Sequence, residues 1–79
     1  MARIIDGDKN NIIGENLKRI REQRGFSQQM LSDKLETLAI YICRGSISRI
    51  EQNQRTVTDI EIMGFAHILD VPLNELFGI

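Results

Sequence analysis

The sequence predicts an all-α protein, a compact bundle of about five short helices, from three observations. Apolar residues recur at helical spacing in successive stretches of the chain. Residues that start helices (Ser, Thr, Pro) and residues that end them (Gly, Asn) lie between these stretches. The run Ile40-Tyr41-Ile42 favours extended backbone but has no partner strand. At 79 residues, the chain is one small domain with a thin core.

The first helix is expected over about residues 12–24. Its apolar stripe has the i, i+4, i+7 spacing and consists of Ile13, Leu17 and Ile20. Asn10 or Asn11 can cap its start, and Gly25 is suited to end it in the left-handed conformation. Residues 1–11 are expected to be an N-terminal arm, and residues 12–79 the folded domain.

The second helix is expected over residues 28–36, with Ser27 as its N-cap and Leu31 and Leu35 as its inner face. The stretch from Thr37 to Cys43 is then expected to be a connector packed on the core. Tyr41 could touch a sugar-phosphate backbone from this connector, but a packed aromatic is the favoured interpretation.

The third helix is expected over about residues 44–52, with Ile47 and Ile50 pointing inward and Asn53 ending it in a left-handed conformation. Arg44, Ser48 and Arg49 then point outward.

The fourth helix is expected to begin at Thr58, because Thr58-Asp59-Ile60-Glu61 has the form of a capping box. Its inner face is expected to hold Ile62, Ala66 and Leu69, with Met63 and Phe65 beside them. A short fifth helix is expected to take Pro72 as its first residue and to end at Gly78. Its predicted inward residues are Leu73, Leu76 and Phe77.

The charge is distributed unevenly along the chain. The net charge is −1, which alone argues against nucleic-acid binding. Residues 1–58 nevertheless hold ten basic and seven acidic residues, whereas residues 59–79 hold four acidic and no basic ones. The first three quarters of the chain could therefore face phosphates while the last quarter faces away. A solvated surface of mixed charge is the alternative.

Several function classes find no support in the sequence. One cysteine excludes an internal disulfide, and neither a signal-peptide pattern nor a membrane-spanning run is present, so a cytoplasmic location is expected. His67 has no partner at ligand spacing, so no metal site and no cofactor are expected. No catalytic constellation stands out, and the protein is not expected to be an enzyme. A redox role for Cys43 is conceivable beside a helix start, but a packing or neutral role is the favoured interpretation.

The order of motifs resembles the phage-repressor-like (Cro/C1-type, xenobiotic-response-element) helix-turn-helix family over roughly residues 12–77. The resemblance is carried by Arg24-Gly25-Phe26 before Ser27-Gln28, by Gly45-Ser46-Ile47-Ser48-Arg49-Ile50-Glu51, and by Leu69-Asp70-Val71-Pro72-Leu73 with the residues that follow. Two features depart from the family pattern. The connector is seven residues long, against a usual turn of about 3–4 residues. Gln52-Asn53 also stands where the family commonly has Asn-Gly.

The resemblance implies a sequence-specific, repressor-like transcriptional regulator that places the third helix in the major groove of double-stranded DNA. The residues expected to contact bases are Arg44, Gly45, Ser48 and Arg49, since arginine matches guanine O6 and N7. The residues expected to contact phosphates are Ser27, Gln28, Asn53, Gln54 and Arg55. Lys18, Arg19 and Arg21 are expected to add long-range attraction, and Glu51 is expected to pair with Arg19 or Arg21.

A symmetric homodimer is expected, because one small domain buries little surface on DNA. The apolar C-terminus suggests Leu76, Phe77 and Ile79 as its contact surface. Two alternatives stay open: a protein-interaction module that keeps the fold without binding DNA, and the antitoxin of a toxin–antitoxin pair.

Overall fold

A computed structural model describes residues 8–79, and this part of the chain contains five α-helices and no strand. The helices are α1 (Gly14–Gln23), α2 (Gln28–Glu36), α3 (Arg44–Glu51), α4 (Asp59–Leu69) and α5 (Leu73–Phe77). The predicted all-α fold is confirmed. Most of the predicted arm, residues 1–7, lies outside the described residues.

Helix α1 starts two residues later than predicted, because Asn11 folds back on its first turn. The Asn11 side-chain oxygen accepts a hydrogen bond of 2.8 Å from the Gly14 backbone N–H, which confirms Asn11 as a capping side chain. Gly25 follows the helix with φ 75°, as predicted for a helix-ending glycine. Ile12 is left outside the helix and partly exposed.

The connector between α2 and α3 is held to α2 by hydrogen bonds from both ends. The Ile40 N–H donates to the Leu35 carbonyl at 3.1 Å, and the Ser32 hydroxyl donates to the Ile42 carbonyl at 2.6 Å. Ile42 is buried and Ile40 packs against the core, so the predicted packing of the connector is confirmed for these two residues.

Tyr41 contradicts the favoured interpretation of a packed aromatic, since it is 75% exposed. The physical reason is that residues 40–43 are not helical, and their burial alternates from one residue to the next, as it does where successive side chains point to opposite sides. With Ile40 and Ile42 turned toward the core, Tyr41 between them points to solvent.

Helix α4 begins with the predicted capping box: Thr58 Oγ1 accepts from the Glu61 N–H, and the Glu61 carboxylate accepts from the Thr58 N–H. Its buried face is centred on Phe65 and Leu69, whereas Ile62 and Ala66 are only partly buried. Met63, predicted to lie beside the core, is 58% exposed.

Helix α5 begins one residue later than predicted, because Pro72 has extended backbone and acts as the N-cap. Leu76 is fully buried and Phe77 packs at the edge of the core, but Leu73 is 41% exposed and is not part of the buried core. The burial of Leu76 contradicts its predicted place on a dimer surface: a short helix can bury only one narrow stripe, and Leu76 is its centre.

The five helices share one apolar core, and α3 packs mainly against α1 and α2. Helices α4 and α5 close the core from the side of α1 and α2. The core side chains are Ile13, Leu17, Ile20, Leu31, Leu35, Ile42, Ile47, Ile50, Phe65, Leu69 and Leu76. Within residues 8–79, no helix has both the length and the apolar character needed to cross a membrane.

Candidate nucleic-acid interface

The outer face of α3 carries the four predicted base-contacting residues. Ile47 and Ile50 are fully buried, so the residues between them in the helical turn face away from the core. Arg44, Gly45 and Arg49 are exposed, and Ser48 is partly exposed. Arg44 and Ser48 form one i, i+4 row on this face, and Gly45 and Arg49 form the neighbouring row. We call these four residues the α3 outer face.

The two arginines of this face carry charge that no acidic side chain of residues 8–79 neutralises by an ion pair. Within the part of the chain that the structure describes, the Arg49 guanidinium donates only to the hydroxyl of Ser46, at 3.3 Å within the same helix. Both side chains can therefore extend toward a ligand. A guanidinium offers two parallel N–H donors, which match guanine O6 and N7 or a phosphate.

Glu51, at the end of α3, fixes this helix to α1 and α2. Its carboxylate accepts two hydrogen bonds from the Arg21 guanidinium, at 2.6 and 3.1 Å, and a third from the Gln28 amide at 3.0 Å. Arg21 also donates to the Phe26 carbonyl at 2.7 Å. The carboxylate hydrogen bond of Glu51 raises the pKa of Arg21. The predicted pairing of Glu51 with a basic residue of α1 is confirmed.

The same network corrects one expectation about Arg21. This side chain is buried and held by Glu51, so it presents no free charge to DNA. The periodicity of α1 predicts that Arg21 lies off the apolar stripe, and the buried partner that draws it inward is thirty positions away. Lys18 and Arg19 are exposed, as expected for long-range attraction.

Ser27 and Gln28 lie at the start of α2, with the geometry of a capped helix N-terminus. Ser27 Oγ accepts from the Met30 N–H at 3.0 Å, which confirms it as the N-cap. Gln28 is partly buried and its amide donates to Glu51. A phosphate at this N-terminus would meet partial positive charge, and the Gln28 amide still has a second N–H to donate.

Asn53 follows α3 with φ 62°, the predicted left-handed conformation. Its side chain points inward, where its amide donates to the backbone oxygen and the side-chain oxygen of Asn11 at 3.2 and 3.0 Å. The Asn11 amide in turn donates to the carbonyls of Ile50 and Arg55 at 3.0 and 2.8 Å. The Asn53 side chain is therefore occupied within the protein.

This asparagine clamp was not predicted from sequence. Asn10 adds to it, because its N–H donates to the Asn53 carbonyl and its amide donates to the Gln54 carbonyl. The chain before α1 is thus tied to the loop after α3 from Asn10 onward. The sequence predicts only a local cap at Asn11, because neighbouring residues give no sign of partners some forty residues away.

Gly14 allows the clamp to form. A side chain at this position would overlap the carbonyl oxygen of Ile50 and lie 2.8 Å from the Asn53 amide nitrogen. The absence of a Cβ therefore lets the start of α1 approach the end of α3.

Arg55 is engaged by an acidic residue, unlike the arginines of the α3 outer face. Its guanidinium donates to both carboxylate oxygens of Glu61, at 3.1 and 3.0 Å. Hydrogen bonding to Arg55 lowers the pKa of Glu61 below its ordinary value of 4.5. Gln54, beside it, is exposed and its side chain is available at the surface.

Cys43 is the N-cap of α3 and is exposed, so it does not pack in the core; a neutral surface role, the other half of the favoured interpretation, stays a prediction. The Ser46 hydroxyl, 3.4 Å away, lowers the pKa of this thiol by hydrogen bonding. Among residues 8–79, no three His, Cys, Asp or Glu side chains are grouped as a metal site would require.

The fold and this surface define a class: an all-helical domain in which α2 and α3 form a helix-turn-helix with a seven-residue connection. A family model described as "Helix-turn-helix domain" matches residues 14–78, and the chain belongs to this family. Solved structures of the same fold superimpose on the chain. The predicted class, a DNA-binding transcription regulator, is confirmed.

Three solved structures are similar to the chain. The restriction-modification controller protein C.AhdI from Aeromonas hydrophila has 29% identity and a TM-score of 0.72, and the match covers 82% of this chain and 87% of that one. The DNA-binding domain of BldD has 22% identity and a TM-score of 0.71, over 91% and 97% of the two chains. The hypothetical transcription factor NHTF from Neisseria has 22% identity and a TM-score of 0.73, over 98% and 84%. No curated protein sequence matches the chain.

Proposed function

We propose that the protein recognises a specific double-stranded DNA sequence by inserting α3 into the major groove, as a repressor-like regulator of transcription. The observation that carries this proposal is the α3 outer face: two exposed arginines stand on a helix whose opposite side is fully buried. Arg44 and Arg49 are assigned to base edges, with Ser48 as a shorter donor or acceptor. Gly45 leaves room for the helix backbone to approach the groove.

The phosphate contacts are assigned to groups on either side of the α3 outer face. The capped N-terminus of α2, at Ser27 and Gln28, offers backbone N–H groups and partial positive charge. Gln54 extends from the loop after α3. Asn53 contributes through the shape of its left-handed turn, because its amide is held by Asn11. Arg55 contributes a positive charge that its ion pair with Glu61 partly neutralises.

We further propose that the protein acts as a symmetric dimer in the cytoplasm, without catalytic activity. A single α3 covers only a few base pairs, and two copies related by a two-fold axis double the contacts on a palindromic site. The similar structure with 29% identity is named as a controller of a restriction-modification system. A comparable regulatory role for this chain is part of the proposal.

The test begins with selection of bound duplexes from a random pool, followed by binding measurements on the selected duplex and on a scrambled one. Arg49→Ala is expected to weaken binding to the selected duplex by about 1–3 kcal/mol and to relax the preference at one base position. Arg19→Ala is the matched control, because it removes the same charge from an exposed site on α1. It is expected to weaken both duplexes slightly and alike.

Salt dependence separates this proposal from the interaction-module alternative. Binding to DNA is expected to fall steeply between low and moderate salt, because phosphate contacts release counterions. No binding to any duplex at either salt concentration would reject the proposal and favour a protein-interaction module. Equal losses for Arg49→Ala and Arg19→Ala would reject α3 as the recognition helix.

A further inference from the structure

One apolar surface lies apart from the α3 outer face, on the exposed side of α4. Ile60 and Met63, one helical turn apart, are 67% and 58% exposed, and Leu38 and Ile40 of the connector flank them. Asp59 and His67 stand at the two ends of this strip and are also exposed. We call these six residues the α4 face.

The sequence of α4 is apolar on both sides of the helix. Phe65 and Leu69 fill the core, while Ile60 and Met63 continue the apolar character onto the outside. A helix that is apolar all round is typical of one covered on both sides, and a contiguous exposed apolar patch marks an interaction surface. Nothing in residues 8–79 covers the outer side of α4.

We infer that the α4 face is the contact through which two copies of this chain pair, with the two α4 helices antiparallel about a two-fold axis at Met63. The positions on this helix are self-complementary in that arrangement. Asp59 and His67 lie four residues before and four residues after Met63, about 6 Å on either side along the axis. Each Asp59 carboxylate therefore stands opposite the imidazole N–H of the other copy's His67.

The same symmetry sets the apolar contacts. Met63 meets its own counterpart at the axis, with the exposed Ile60 of each copy beside this contact. Such an isologous contact closes at two copies, because each surface is used completely by the other. The unequal ends of the strip, acidic at one and imidazole at the other, favour the antiparallel pairing over the parallel one.

This pairing leaves the α3 outer face free, since α3 packs mainly against α1 and α2 and forms no part of the α4 face. The inference rests on the proposed function in one respect: the role of the dimer is to present two α3 helices to one duplex. The dimer itself is measurable without DNA, so the two proposals can fail separately.

The experiment measures solution mass by sedimentation equilibrium from micromolar to millimolar protein, with helical content checked for every variant. The unchanged chain is expected to form a dimer. Met63→Lys is expected to raise the dimer dissociation constant by at least about 30-fold, because it places two like charges at the axis. Ile79→Lys is the matched control: Ile79 is 88% exposed, lies off the α4 face, and is expected to leave the dimer intact.

A charge exchange tests the antiparallel register. His67→Glu is expected to raise the dimer dissociation constant about tenfold. The new carboxylate faces the Asp59 carboxylate of the other copy, and this repulsion occurs twice in each dimer. The double variant Asp59→Lys/His67→Glu is expected to recover dimerisation, since each copy then pairs Lys with Glu across the axis. No recovery, with both variants folded, would overturn the proposed pairing.

Other occupants of the α4 face give distinct results. A chain that is monomeric at all concentrations, or that binds a different protein through this face while remaining monomeric, overturns the inference. A dimer that Ile79→Lys breaks and Met63→Lys does not would locate the contact at the C-terminus, and this also overturns it. Weak binding of the Met63→Lys monomer to a single half-site would separate loss of pairing from loss of DNA recognition.

Discussion

Replacing Glu51 by alanine removes the carboxylate of α3 that accepts hydrogen bonds from α1, through Arg21, and from α2, through Gln28. In the folded protein, the Arg21 and Glu51 side chains are only 9% and 3% exposed, and Gln28 donates to the same carboxylate. After the replacement, the Arg21 cation keeps only the Phe26 carbonyl as a hydrogen-bond partner, and the Gln28 amide loses its acceptor. Water has little access to the Arg21 cation.

The expected loss follows from this burial. Breaking a buried ion pair from one side costs about 3–5 kcal/mol, because a charge is left buried without compensation. A domain of this length has a free energy of unfolding of about 4–12 kcal/mol. Glu51→Ala should therefore remove a large part of the stability, and at physiological temperature a substantial fraction of the protein should be unfolded.

The double variant Arg21→Met/Glu51→Leu should behave differently from the single one. Apolar side chains of similar size can replace a buried ion pair at little or no cost in stability, because the desolvation of both charges disappears with the pair. The measurement is urea unfolding followed by circular dichroism, with the slope of the transition used to check two-state behaviour. Glu36→Ala, an exposed acidic position at the end of α2, is the control and should stay within about 0.5 kcal/mol of the unchanged chain.

Two outcomes would refute this reasoning. If Glu51→Ala lost less than about 1 kcal/mol, water would have to reach Arg21 despite its burial, and the network would not hold α3. If the double variant were as unstable as the single one, the loss of stability would come from altered packing around α3 and not from the unpaired Arg21 cation.

Three further predictions concern single side chains. Gly45→Ala should raise the free energy of unfolding by up to about 1 kcal/mol in thermal or urea unfolding, because no atom obstructs a Cβ there and alanine favours the helix; a concurrent fall in DNA affinity would show that the helix backbone approaches the groove at Gly45. Because the pKa of Glu61 is lowered in the folded state, its ion pair with Arg55 stabilises the protein above pH 4.5 and is lost as the pH falls through the folded value. Thermal unfolding of Glu61→Gln should accordingly show a smaller loss of stability on acidification than the unchanged chain, and identical profiles would contradict this linkage. Gly14→Ala should destabilise the domain by more than 1 kcal/mol in urea unfolding, since the new Cβ overlaps the Ile50 carbonyl, and a neutral result would mean that α1 can shift away from α3.

Local signals made the helices predictable from sequence. Capping residues act within one helical turn, so the residues next to them in the sequence are enough to predict them. Examples are Ser27, the Thr58–Glu61 pair, Gly25 and Gly78. The left-handed Asn53 is a case of the same kind. The helix ends differ from prediction by one or two residues, where hydrogen bonds of flanking side chains decide the boundary.

Long-range contacts account for what the sequence left undecided. The clamp of Asn11 on Asn53 and the burial of Arg21 on Glu51 join residues that are far apart in the chain. Tyr41 and Leu76 were each assigned to the wrong environment for a related reason. An apolar side chain favours burial, but the direction of the backbone at that residue determines whether the side chain points into the core or to solvent.

The placement of the acidic residues explains how a chain with a net charge of −1 can present a basic surface. Glu51 and Glu61 each neutralise an arginine, Arg21 and Arg55, and both of these pairs serve the internal structure. Within residues 8–79, no such pair engages Arg44 or Arg49, so the charge at the α3 outer face is uncompensated locally although the overall balance is acidic. Because screening confines exposed charges to a range of roughly 8 Å at physiological salt, a duplex at α3 senses these arginines far more than the total charge of the protein.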